Sequence, residues 1–154
     1  MLGIENWQDY RRDGVAFLKT ALKGYQGRKK AFNHEALYNI VCMAIEKLIM
    51  AYLMKRGDLA ENHTMYDLVR ALENHLTLSD DLKQAMLRLD SYQDICDPDQ
   101  SVYVVISTQD IESILDTGAQ IGALLLPDLD RELSVELPEI LRKEKFNGVN
   151  HYVN

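Results

Sequence analysis

Histidines are the side chains here suited to acid–base chemistry near neutral pH, and one of the four, His75, follows Arg70 in the run Arg-Ala-Leu-Glu-Asn-His. An imidazole gives or takes a proton near neutral pH. A guanidinium steadies negative charge as it builds up. Five residues along a straight helix, however, turn two side chains about 140° apart. The two converge within one chain only if the helix ends near His75. Otherwise Arg70 is a surface cation and His75 a helix-end residue. The remaining histidines are His34, His63 and His151. None forms the His-x3-His or Glu-x-x-His pair that places two ligands on one helix face, so no metal site is expected. There is no glycine-rich phosphate loop and no nucleophile elbow.

These residues need a scaffold, and one stretch organises it. From Ala36 to Leu53 the apolar residues Leu37, Ile40, Val41, Ala44, Ile45, Leu48, Ile49, Tyr52 and Leu53 keep the three-then-four spacing of a helix face. Cys42, Met43 and Met50 widen that face, and only Asn39, Glu46 and Lys47 are polar in its middle. A helix this apolar is expected to be surrounded, with Ile45 and Leu48 at the centre of the core.

The other segments read as the walls. A first helix runs over about 7–25, with Trp7, Tyr10, Gly14, Phe17, Leu18, Ala21, Leu22 and Tyr25 along one side. Those aromatics read as core rather than as a base-stacking platform. The central helix spans about 33–56 and ends at Gly57. Thr64 with Asp67, Ser79 with Asp80 and Asp81, and Ser107 with Asp110 mark three further helix starts. Between the last two, Asp97-Pro98-Asp99 is a turn signal, and 94–107 reads as an extended connection. The last long helix carries Ile111, Ile114, Leu115, Gly118, Ile121, Gly122 and Leu125 inward, and Pro127 is expected to stop it. Gly118 and Gly122, one turn apart, allow a neighbouring helix to come close, and with the generous apolar content of one small bundle they predict a homodimer. Together the elements predict an all-α, antiparallel up-and-down bundle of four to five helices over 1–126. A tail over 127–154 holds a short helix starting at Pro138.

Composition narrows the partners. The chain has 154 residues, 47% hydrophobic and 27% charged, with a net charge of −7. One domain and one core fit that length. The negative charge disfavours general binding to nucleic acid or anionic membranes, and no DNA partner is expected. Residues 1–30 hold seven Lys/Arg against three Asp/Glu, and this basic cluster, Arg11 and Arg12 included, reads as a solvated face. Two cysteines, Cys42 and Cys96, make no disulfide framework, and Cys42 reads as a small core residue. The first residues show no signal pattern, and Glu46 and Lys47 interrupt the best candidate for a membrane span. A cytoplasmic protein with reduced thiols is expected.

Several of these residues carry a family resemblance. Ala36-Leu-Tyr-Asn, Ala44-Ile-Glu-Lys-Leu and Ala51-Tyr-Leu resemble the second helix of HEPN domains, helical modules of nucleotide and RNA biology. His63-Thr-Met-Tyr-Asp-Leu-Val-Arg-Ala-Leu resembles that family's next segment, and helix order agrees from about Trp7 to Leu126. The resemblance implies an HEPN-like bundle, often a homodimer, in a prokaryotic toxin–antitoxin or defence context. It implies either a non-catalytic module or a metal-independent endoribonuclease. The module would bind a nucleotide, an RNA or a nucleotidyltransferase partner. Nuclease members resemble one another in an Arg, four to six residues, then a His, the spacing of Arg70 and His75, so the resemblance implies that in a nuclease His75 would act on the ribose 2′-hydroxyl and Arg70 on the phosphate. Ala71 departs from the polar residue that nuclease members favour after the Arg, which favours the module. A purely structural homodimer is a third reading. No cofactor is expected.

Overall fold

In a computed structural model of the chain, residues 3–26, 32–96 and 105–131 are described, with side chains at 94–96 left aside. The elements are α1 (Trp7–Gln26), α2 (His34–Lys55), α3 (Met65–Glu73), α4 (Asp80–Leu89) and α5 (Thr108–Leu129). A 3-10 turn over Asp90–Cys96 follows α4. Among the described residues no strand occurs. The expected tail helix after Pro138, His151, Arg28 to Lys30 and the Asp97-Pro98-Asp99 turn lie outside the described residues.

The helix α2 is the axis of the molecule. Every residue from Leu48 to Met54 is buried, as are Leu37, Tyr38, Val41, Ala44 and Ile45. Ile45 and Leu48 are 0% exposed, as the spacing predicts. By length and composition α2 is apolar enough to cross a bilayer, with a mean hydropathy of 1.5, Glu46 and Lys47 notwithstanding. Yet 67% of that window is buried against neighbouring helices.

Contacts along α2 set the direction of its neighbours. The Ile4 amide donates to the Met54 carbonyl, and Gly14 faces Leu48 and Gly24 faces Leu37. So α1 runs antiparallel to α2. A Cβ on Gly14 would stand 2.8 Å from the Leu48 Cγ and 3.1 Å from its backbone nitrogen, so the two helices cross there because a side chain is missing. Tyr38 donates to the carbonyl of Leu89 at 2.7 Å, which brings the end of α4 beside the start of α2. Helix α5 lies with its start near His34 and its end near Lys55, in the same sense as α2. The helices α1, α2, α4 and α5 thus alternate up and down, and the short α3 sits within the connection between α2 and α4.

The starts of the helices follow the local sequence closely. Asn33, Thr64, Ser79 and Ser107 each accept an amide of the first turn through the side chain. Ser107 and Asp110 form a complete capping box. At Thr64 only half the box forms, because the Asp67 carboxylate takes the Thr64 hydroxyl at 3.0 Å. The other donors at the start of α3 go to Asp90, which accepts the Met65 and Tyr66 amides at 3.0 and 3.1 Å. Gly57 ends α2 at φ 74°, a conformation glycine takes without strain.

Besides residues 94–96, which close the 3-10 turn rather than open an extended connection, two expectations are corrected here. Pro127 does not stop α5, which continues to Leu129, past the boundary placed at 126. Proline removes one helical donor and crowds the carbonyl four residues back, but Pro127 and Ala123 both lie on the exposed side of α5. The extra turn is held by the buried Leu129 and by ion pairs of Asp128 and Asp130. The second correction is Arg11. It does not belong to a solvated face but is buried, its Nη2 2.6 Å from the Asp130 carboxylate.

Candidate functional site

Arg70 and His75 leave α3 in different surroundings. Arg70 is exposed on the outer side of the helix, and its guanidinium lies 5.7 Å from the ring centre of Tyr66, one turn earlier. The helix ends at Glu73 with Asn74 as its cap, so His75 escapes the 140° geometry of a continuous helix. Its backbone amide still donates to the Leu72 carbonyl at 3.0 Å. Its ring turns back toward the end of α2. There Nε2–H donates to the Asp58 carboxylate at 2.7 Å, and the ring meets Tyr52 edge-on at 6.4 Å between centres.

The His75 surroundings form a polar end to the bundle. The Arg56 guanidinium stacks on Tyr52 at 3.5 Å, donates to the Tyr52 carbonyl at 3.1 Å and pairs with Asp128 at 2.8 Å. Lys55 donates to the Asp128 backbone carbonyl at 2.7 Å, satisfying a group near the end of α5. The hydrogen bond from His75 holds the Asp58 carboxyl below the usual carboxylate range, aided by the Leu59 amide. Burial raises the Tyr52 hydroxyl above its ordinary value, against the pull of Arg56. So the cation that shares the His75 cluster is Arg56, not Arg70, and it is already engaged by a carboxylate.

The other candidates have structural partners. His34 donates through Nδ1 to the Ile106 carbonyl at 2.8 Å, tying the start of α2 to the segment before α5. His63 pairs with Glu46. Lys47 lies over the Tyr10 ring at 4.3 Å, so neither member of the Glu46-Lys47 strip is idle. Among the described residues no group of three or more His, Cys, Asp or Glu is placed to hold a metal ion. Cys42 is half-buried, and burial pushes its thiol up to about 12, against the Tyr38 hydrogen bond. Trp7 is buried, and Tyr10, Phe17 and Tyr25 pack against the core.

The residues that sequence reasoning missed are Asp58, Asp90, Asp128 and Asp130. Each serves a group far along the chain, as Asp130 serves Arg11 across 119 positions. No local spacing announces such pairs. Comparisons with protein-family models, with curated proteins and with solved structures return no match.

Proposed function

We propose that this chain is a non-catalytic helical module of the HEPN type, one that binds a nucleotide, an RNA or a nucleotidyltransferase partner in a prokaryotic toxin–antitoxin or defence setting. The observation that supports the non-catalytic reading is that Arg70 and His75 stand in different surroundings, Arg70 on the exposed side of α3 and His75 turned to Asp58. Metal-independent RNA cleavage needs both groups at one phosphodiester, and here one rests on Tyr66 while the other is drawn to Asp58 and Tyr52. Purified protein incubated with single-stranded RNA and a chelator should leave the RNA intact over hours. Anisotropy of a labelled nucleotide or oligoribonucleotide, and pull-down with a purified nucleotidyltransferase, separate the three kinds of ligand.

One observation favours the endoribonuclease as the second reading. Because α3 ends before His75, the ring is free of the helix and a carboxylate orients it, an arrangement that suits a general base. A working site would then draw Arg70 from a second copy of the chain. Chelator-resistant cleavage, lost in both Arg70→Ala and His75→Ala and dependent on dimer formation, would replace the module reading. A homodimer is part of either reading, and light scattering would report about twice the 17.7 kDa chain mass. Gly118 and Gly122 do not speak for it. They face Leu18 and Val41 of their own chain, at 2.9–3.2 Å from where a Cβ would stand.

A further inference from the structure

We draw no further inference here: the strongest candidate, the exposed face of α3 where Tyr66 and Arg70 lie side by side, is an unpartnered surface patch, and nothing in the structure shows what covers it.

Discussion

At Cys42 the thiol is pushed up to about 12 by burial, and a thiol that does not ionise is a poor nucleophile. In a Cys96→Ser background, iodoacetamide at pH 8 should therefore label the folded protein about a thousandfold more slowly than the unfolded chain, following the thiolate fraction. Similar rates in both states would show that Cys42 is open to water. Asp58 makes the opposite kind of statement. Its carboxyl is held low by His75, so the folded state favours the charged form. That contribution is fully present above the unfolded carboxylate range of about pH 4 and is lost as pH falls through the lower folded value. Asp58 is part-exposed, which limits the effect to about 1 kcal/mol or less. In urea titrations, Asp58→Asn should be less stable than wild type at pH 6, and the gap should shrink below about pH 4. A gap that widened on acidification would contradict the pairing with His75.

Among the elements, α5 shows where local rules end. Its start was legible, since Ser107 and Asp110 needed nothing beyond their own first turn to form a capping box. Its end was not, because the rule that proline breaks helices speaks of local sterics, and the last turn is held by Arg11 and Arg56 from other helices. The same division runs through α3. Thr64 announced its start, while the Asp90 carboxylate that completes the cap arrives from the far end of α4. Of the candidate site, the positions of Arg70 and His75 on and just beyond α3 were legible, and the partners that separate them were not. The Arg11–Asp130 pair supplies a test. Asp130→Ala leaves a buried guanidinium without its carboxylate and should cost about 3 kcal/mol in chemical denaturation. Replacing both partners, Arg11→Met with Asp130→Leu, should recover most of that loss. A double variant as weak as the single one would mean that the pair fixes the last turn of α5 by geometry as well as by charge.

For the whole molecule, the controlling fact is that one helix is buried all round over its second half, Leu48 to Met54, while Glu35, Asn39 and Met43 stay exposed in its first. The apolar spacing of α2 made that legible, because an apolar surface wider than one face has to be covered on several sides. Truncating Ile45, which is 0% exposed, should cost roughly 2–5 kcal/mol, read as a lower denaturation midpoint at unchanged slope. An unchanged midpoint would remove Ile45 from the core. The ion pairs at the far end of the bundle also bear on the order of events during synthesis. A ribosome delivers Arg11 and Arg56 long before Asp128 and Asp130, and α1 and α2 can close on each other in that interval. Until then neither guanidinium has its carboxylate, although Arg56 can already stack on Tyr52 of its own helix. The contacts that seal that end span more than a hundred positions for Arg11, the kind of long closure that comes late. A released chain truncated before Asp128 would keep the core residues up to Leu126 and none of these locks.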